Sequence, residues 1–430
     1  MDSVDTIFAL SSGAPPAAIA VVRISGAQAF KAVRLVAGNL PPPRKAALRT
    51  LKSPADGELL DQALVLIFPG PATATGEDLA ELHLHGGRAV VRAVETALSE
   101  IDGLRRAEAG EFTRRAFANG RIDLNEAEGL ADLLSAETEW QRRAAALIAG
   151  GAFSQQVEAW RDALLRLAAM LEAELDFSDE DDVGEQEYLI ISNGCVELHD
   201  AIADQLKFPP VEKLRDGLRV VLAGPPNSGK STLLNALVAR EAAIVSDIAG
   251  TTRDLIEVPV ALEGIPFLFT DTAGLRDDSG DVVETIGIER AERAIADADI
   301  VLWLGGEGEG PRHANLIEIE AKADVANHVR KVDAIVVSAK SGQGMLELIA
   351  SLVSKGRDML PPPDAFALNQ RQRYLLRDTA LFLSHASKAH DPLIMAEELR
   401  QARLALDALT GRASTEDMLD ALFGRFCIGK

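Results

Sequence analysis

The stretch Gly224-Pro-Pro-Asn-Ser-Gly-Lys-Ser-Thr232 constrains the fold of this chain more than any other. Before it runs Leu218-Arg-Val-Val-Leu-Ala223, a short apolar segment that reads as a buried strand. After it, Leu233-Leu-Asn-Ala-Leu-Val238 is apolar at helical spacing. A strand, a Gly-x-x-x-x-Gly-Lys-Ser turn and a helix in that order make a phosphate-binding loop. Glycines let the backbone curl so that successive N–H groups face a phosphate, and the helix N-terminus adds positive potential. In such a loop Lys230 reaches the β- and γ-phosphates and the Ser231 hydroxyl sits on Mg²⁺. Asn227, Ser228, Gly229 and Thr232 complete the nucleotide-binding set. The competing reading is a Gly-rich structural turn.

Two downstream elements favour the nucleotide. Phe267-Leu-Phe-Thr-Asp-Thr-Ala-Gly274 reads as a strand ending in Asp-x-x-Gly. Its end places Asp271 near the magnesium and lets Gly274 offer its N–H to the γ-phosphate, with Thr272 and Ala273 between them. Ser246-Asp-Ile-Ala-Gly-Thr-Thr-Arg-Asp254 lies between the two motifs. There Thr252 is spaced to be the second hydroxyl on Mg²⁺, and Asp247, Ala249 and Gly250 belong to the same switch-like segment. The three elements together predict a GTPase-type switch domain. For the base, Ala321-Lys-Ala-Asp324 stands where Asn-Lys-x-Asp is usual. Asp324 can accept from guanine N1 and N2, and Lys322 can cover the base. The missing Asn side chain costs about 1–3 kcal/mol of affinity. Ser338, Ala339 and Lys340 match a loop that backs guanine with main-chain N–H groups, so GTP is favoured over ATP. Leu275 occupies the place of a water-orienting Gln and cannot orient water. Glu284 is either a water-positioning group or an ordinary exposed carboxylate; the residues alone leave this open.

The 430 residues, 47% of them apolar, suit about three domains with real cores. Residues 1–118 mix short strands (Ile19–Ile24, Gln62–Phe68) with a helical pattern at Val90, Val91, Val94 and Leu98, as an α+β domain does. Residues 119–213 and 364–430 are helical, and 214–363 alternate strand and helix as a doubly wound α/β domain inserted between them. Leu360-Pro-Pro-Pro363 reads as a linker. A net charge of −22 speaks against whole-surface attraction to nucleic acid. Local basic pairs remain (Arg105-Arg106, Arg114-Arg115, Arg142-Arg143, Arg371 with Arg373), each also readable as a solvated helix face. Asp176–Asp182 is expected to be an exposed acidic loop. Two cysteines give no disulfide framework, no apolar run reaches the roughly 18 residues of a membrane span, and the acidic N-terminus lacks a basic leader. The expectation is a cytoplasmic chain with no membrane. His83-x-His85 has same-face strand spacing but no completing ligands, and is read as structural, as is Cys195.

Further motifs run through the whole chain in order: Asp5-Thr-Ile7, Val22-Arg-Ile-Ser-Gly26, Thr75-Gly-Glu-Asp78, His85-Gly-Gly87, Gly110-Glu-Phe-Thr-Arg-Arg-Ala-Phe117, Asn119-Gly-Arg-Ile-Asp-Leu124 and the terminal Phe426-Cys-Ile-Gly-Lys430. With the switch motifs they resemble the potassium-activated tRNA-modifying GTPases of the MnmE (TrmE) family. The resemblance implies that Asn227 ligates K⁺ through its side chain, that Ser246 and Ile248 add main-chain carbonyls, and that Thr251 lies close by. It implies that Glu284 orients the attacking water and that Lys230 serves catalysis. It implies an N-terminal domain that binds a formyl- or methylene-tetrahydrofolate and dimerises, with Arg23, Glu81, Arg121 and Lys430 at the folate. Carrying Lys430 over requires the C-terminus to return to that domain. Cys427 matches a near-terminal cysteine, a possible reactive thiol if its pKa is lowered. The implied partners are a second copy of the chain, an FAD-dependent MnmG-type protein in a heterotetramer, and tRNA, whose wobble uridine receives a carboxymethylaminomethyl-type group at C5. The chain departs from the family at Ala321, in the short Gly-rich stretch Leu304–Pro311, and in Ser12–Ala17, which lacks an Arg-Gly-Gly.

Overall fold

The computed structural model describes residues 5–176, 184–240, 257–272, 290–325, 331–412, 416–424, 426, 428 and 429. The chain forms two compact units, Met1–Ala131 with Asp407–Lys430, and Asp132–Leu406.

The first unit carries β1 (Thr6–Leu10), β2 (Ile19–Ser25), α1 (Ala29–Ala37), β3 (Ala47–Lys52), β4 (Leu59–Phe68), β5 (Leu79–His85), α2 (Arg88–Ser99), β6 (Leu104–Arg106), α3 (Glu111–Ala118) and the start of α4 (Leu124–Ser135). The strands form one sheet in the order β3-β4-β5-β2-β1-β6, antiparallel except for the β1–β6 pair. Period-two alternation decides its faces. Ala80, Leu82 and Leu84 of β5 are buried, while Glu81 and His83 between them are half-buried. The buried face packs against Val33 and Val36 of α1 and Val94 and Leu98 of α2. On β1 the alternate residues Ile7 and Ala9 pack with Ala107 and Phe112.

The C-terminal segment completes this unit with a last helix, Glu416–Phe423. Gly110 has φ +68°, and a Cβ there would lie 2.2 Å from the Phe423 carbonyl oxygen, so only glycine admits the close approach. Phe423 stacks at a tilt on Phe117 and Phe426, centroids 6.1 Å apart in each pair. Beyond it Ile428 bridges to Ala109, and the Ser11 hydroxyl donates to the Gly429 carbonyl at 2.8 Å. Gly429 thus lies beside the end of β1.

The second unit holds α5 (Glu139–Ala149), α6 (Ala152–Asp176), α7 (Gly184–Leu206), α8 (Glu212–Asp216), β7 (Leu218–Ala223), α9 (Lys230–Arg240), β8 (Glu257–Leu262), β9 (Ile265–Asp271), α10 (290–297), β10 (Ile300–Trp303), β11 (Leu316–Glu320), β12 (Ile335–Val336), α11 (Met345–Met359), α12 (Gln370–Ala386) and α13 (Pro392–Leu409). Its sheet order is β12-β11-β10-β7-β9-β8, parallel except for the β8–β9 hairpin. Glu263 and Gly264 turn that hairpin with φ +48° and +81°, the conformation a two-residue hairpin loop needs. Phe267 and Phe269 of β9 are fully buried, each contributing about 1.5–3 kcal/mol.

Helices from both sides of the sheet in sequence pack together. The Ser192 hydroxyl of α7 donates to the Ser387 carbonyl after α12 at 2.6 Å, and Arg373 of α12 donates to the Leu206 and Phe208 carbonyls at the end of α7. Capping boxes start α5 at Thr138 and α12 at Asn369. The expected linker at Leu360-Pro-Pro-Pro363 is not a free tether. Leu360 and Pro361 are buried, and the Trp140 indole N–H donates to the Pro361 carbonyl at 3.0 Å. Apolar Leu and rigid Pro give that segment surface to bury at little entropic cost.

Candidate functional site

The phosphate loop leaves β7 at the point where the strand order reverses, β10 on one side and β9 on the other. In open α/β sheets ligands bind at that crevice, outside the carboxyl ends of the strands. Gly224 (φ +148°), Asn227 (φ +63°) and Gly229 (φ +106°) make the turn. The side chain of Asn227 is exposed and makes no hydrogen bond among the described residues. The Leu233 N–H donates to the Gly229 carbonyl at 2.9 Å, so the N–H groups that open α9 point out of the helix toward the loop. Lys230 is buried, with its ammonium 2.9 Å from both the Gly224 and Pro225 carbonyls.

Ser231 and Asp271 come from different elements and meet: the Ser231 hydroxyl donates to Asp271 Oδ2 at 2.5 Å. Asp271 is buried at the end of β9, and Thr272 beside it donates to the Leu222 carbonyl at 2.9 Å. Two hard oxygens converging at a phosphate loop fit a Mg²⁺ ion.

Farther along the crevice Gly229, Thr232, Ala321, Lys322, Asp324 and Lys340 line a small cavity of about 120 Å³. Lys322 (φ +62°) donates through Nζ to the Asn227 carbonyl at 2.6 Å, which ties the base-side loop to the phosphate loop. The Ser338 hydroxyl donates to Asp324 Oδ1 at 2.7 Å. That hydrogen bond holds the exposed Asp324 carboxyl below its ordinary pKa, so it is ionised and an acceptor throughout the neutral range. The main-chain N–H groups of Ala339 and Lys340 have no acceptor among the described residues.

The first unit holds a second charged cluster. Arg23 and Glu81 stand directly opposite each other on β2 and β5. Arg23 donates to Glu81 Oε1 through Nε (3.2 Å) and Nη2 (2.9 Å), and its guanidinium lies 6.0 Å from the Phe112 ring centroid. His83 Nε2 lies 3.2 Å from Glu81 Oε2. Arg121 donates through Nε to the Thr73 carbonyl at 3.2 Å, and Asn119 to the Thr75 carbonyl at 2.7 Å, so both grip the loop between β4 and β5. Beneath that loop Arg115 is buried and pairs with Asp5 (2.9 Å), Glu77 (3.2 Å) and Glu111 (3.0 Å).

Two family models cover nearly all of the chain. Residues 124–427 match the MnmE helical domain, and residues 6–121 match the GTP-binding protein TrmE N-terminus. The tRNA modification GTPase MnmE of Rhizorhabdus wittichii is 60% identical over 431 residues, covering 99% of this chain and 97% of that protein. The chain belongs to the MnmE family. The MnmE protein of Novosphingobium aromaticivorans is 57% identical, covering 99% of this chain and all of its own length. Among solved structures, the G domain of the T. maritima FeoB iron transporter is similar at 22% identity over 32% of this chain and 98% of its own, with a TM-score of 0.24.

In this chain the structure brings Asn227, Ser228, Gly229, Lys230, Ser231, Thr232, Asp271 and Thr272 to one crevice, with Lys322, Asp324, Ser338, Ala339 and Lys340 beside it. Ser246, Asp247, Ile248, Ala249, Gly250, Thr251, Thr252, Ala273, Gly274, Leu275 and Glu284 lie outside the described residues, as do Cys427, Lys430 and residues 177–182 of the acidic run. Cys195 is fully buried in α7, and burial pushes its thiol up to about 11, which makes it inert core. His83 and His85 each face a carboxylate, Glu81 and Asp61, and no group of three or more metal-ligating side chains occurs among the described residues. The basic pairs are not all the open helix faces expected. Arg105-Arg106 sits on β6 and pairs with Asp5, Glu111 and Glu95, Arg115 is buried, and Arg142 and Arg143 both pair with Glu139. No helix among the described residues is long and apolar enough to cross a membrane. Sequence reasoning missed the Arg115 network and the His83–Glu81 contact. Period-two alternation along β5, which puts residues 81 and 83 on one face, was the available signal for the latter.

Proposed function

We propose that this chain hydrolyses GTP and couples hydrolysis to modification of the wobble uridine of tRNA. The observation that carries the reading is the Ser231–Asp271 pair at the phosphate loop, in a chain 60% identical over almost its full length to a tRNA modification GTPase. Lys230 exchanges the Gly224 and Pro225 carbonyls for phosphate oxygens, swapping neutral acceptors for charged ones. Asp324 accepts from guanine N1–H and N2–H, Lys322 covers the base, and the free N–H groups of Ala339 and Lys340 face guanine O6. Ser231, with Thr252, would hold Mg²⁺, which when bound neutralises charge on the β- and γ-phosphates. The unengaged side chain of Asn227 suits a K⁺ ligand, with Ser246, Ile248 and Thr251 as the rest of the set. Glu284 orients the attacking water, because Leu275 has no group that can.

In the same reading Arg23, Glu81, Arg121 and Lys430 hold a formyl- or methylene-tetrahydrofolate that carries the one-carbon unit. An FAD-dependent MnmG-type partner handles redox, and two copies of this chain join it in the cytoplasm. The working parts are residues 1–118 for folate and dimerisation, 119–213 with 364–430 as the helical part, and 214–363 as the switch. The resemblance of motifs supports these assignments.

Steady-state GTP hydrolysis in K⁺ and in Na⁺, with Asn227→Ala beside the parent chain, tests the switch chemistry. The parent is expected to be at least about tenfold faster in K⁺, and Asn227→Ala to lose that difference. Equal parent rates in the two salts would sink the potassium mechanism. Nucleoside analysis of tRNA from cells lacking the protein tests the coupling; unchanged wobble uridines would refute it.

A further inference from the structure

We infer that Ala321 leaves N7 of a bound guanine unread, so that this chain takes guanine nucleotides altered at position 7 as readily as GTP. The specificity described rests on the proposed guanine site and sharpens it. Guanine offers a protein two donors, N1–H and N2–H, and two acceptors side by side, O6 and N7. In that site the donors go to Asp324, which the Ser338 hydroxyl fixes at 2.7 Å. O6 goes to the main-chain N–H groups of Ala339 and Lys340, which have no acceptor among the described residues. A donor for N7 would have to stand beside that loop, toward the phosphates, because in an anti nucleotide the five-membered ring lies over the 5′ side of the ribose. Two observations put position 321 there. The Val337 N–H donates to the Glu320 carbonyl at 2.8 Å and the Ala323 N–H to the Val337 carbonyl at 3.1 Å, so residues 320–323 run alongside the start of the Ser338–Lys340 loop. A Cβ built on Gly229 would lie 3.8 Å from the Ala321 methyl, so that methyl sits where the base cavity meets the phosphate loop.

A methyl group has no proton to donate. The cavity's other side-chain donors are placed for other work. Lys322 Nζ is 2.6 Å from the Asn227 carbonyl and is held there. The Ser338 hydrogen bond first, and the charge of Lys340 after it, keep the Asp324 carboxyl below its ordinary pKa, so Lys340 stands at the N1 and N2 end of the base. Thr232 lies in the first turn of α9, next to Ser231 at the phosphates. Exchanging N7 for a C–H group therefore removes an acceptor that has no partner and costs nothing. In a site with a donor at 321 the same exchange forfeits a hydrogen bond, about tenfold in affinity.

The test is competitive titration of the full chain with GDP, 7-deaza-GDP and ADP, for the parent and for Ala321→Asn, with a thermal unfolding midpoint for each protein. 7-Deazaguanine keeps N1–H, N2–H and O6 and carries C–H in place of N7. The parent is expected to bind GDP and 7-deaza-GDP within about twofold of each other, and to hydrolyse GTP and 7-deaza-GTP at matching rates. Ala321→Asn, which restores a side-chain N–H, is expected to prefer GDP over 7-deaza-GDP by about tenfold. The parent comparison needs no variant to fold. A parent that loses about tenfold on 7-deaza-GDP has another donor at N7, Thr232 first among the candidates, and the inference is overturned. A folded Ala321→Asn that still binds the two alike shows that position 321 does not face N7, which overturns the assignment to Ala321. If the parent binds ADP as tightly as GDP, the guanine site itself fails, an outcome separate from the other two, and the inference falls with it.

Discussion

Ala321 is the residue at which this chain departs most pointedly from its own site. Its Cβ would lie 3.8 Å from a Cβ built on Gly229, so position 321 abuts the phosphate loop at the edge of the base cavity. An alanine there supplies contact and no donor. In the proposed reading the recognition left to the site is Asp324, fixed by Ser338, and the two free N–H groups at Ala339 and Lys340. Restoring a side-chain amide is therefore predicted to add affinity: Ala321→Asn should tighten GDP binding by about 1–3 kcal/mol, roughly fivefold to 150-fold, in a fluorescent-nucleotide titration. Unchanged affinity would show that position 321 does not face the base. Lys322 next to it acts differently. By donating to the Asn227 carbonyl it joins the base loop to the backbone of the residue proposed for K⁺, so the two halves of the crevice share one strut.

Among the elements, the join between β1, α3 and the loop before β5 depends on buried charge. Arg115 faces three carboxylates, and Arg105 shares two of them, Asp5 and Glu111. Burial opposes the charged form of Glu111, yet hydrogen bonds from Arg105 and Arg115 hold its pKa below the ordinary 4.5. A depressed carboxylate pKa means stability that is present above pH 4.5 and is lost as pH falls through the lower folded value. Arg115→Ala removes a buried cation from three half-buried carboxylates, two of which keep Arg105, and is predicted to cost the first unit about 1–3 kcal/mol near neutral pH. Its stability should also fall less steeply than the parent's below pH 4.5 in urea titrations followed by circular dichroism. A parallel pair of acid profiles would contradict this. None of this network was legible beforehand. Glu77, Glu111 and Arg115 stood out as motif letters, but their meeting depends on a loop, a helix start and a strand end that no local pattern links. The strands β2, β4, β7 and β9 and the helices α2 and α9 were legible, because alternation or helical spacing marks them residue by residue. The packed Leu360–Pro363 segment was not, because proline punctuation looks the same whether the segment is solvated or buried.

For the whole molecule, the decisive fact is that the first unit is discontinuous, Met1–Ala131 together with Asp407–Lys430. The return of the C-terminus was expected only because the family resemblance placed Lys430 at the folate; neither composition nor periodicity carries it. Ser11 to Gly429 and Ala109 to Ile428 are the last of the contacts that close it, beyond those of Phe423 with Gly110 and Phe117. Deleting residues 428–430 is predicted to destabilise the first unit by about 1–3 kcal/mol. Hydrogen-exchange mass spectrometry should then show faster exchange in β1 and no change in β9; unaltered β1 protection would mean the closing contacts contribute nothing. The same discontinuity sets an order of events during synthesis. The strands of the first sheet leave the ribosome early, but the helix that Gly110 was shaped to receive follows residues 132–406. The earliest-made unit must therefore wait, with its Phe112–Phe117 helix uncovered, for the whole of the second to be translated. A translation stall anywhere between those points would leave a nascent chain with an open N-terminal unit, a natural client for chaperones.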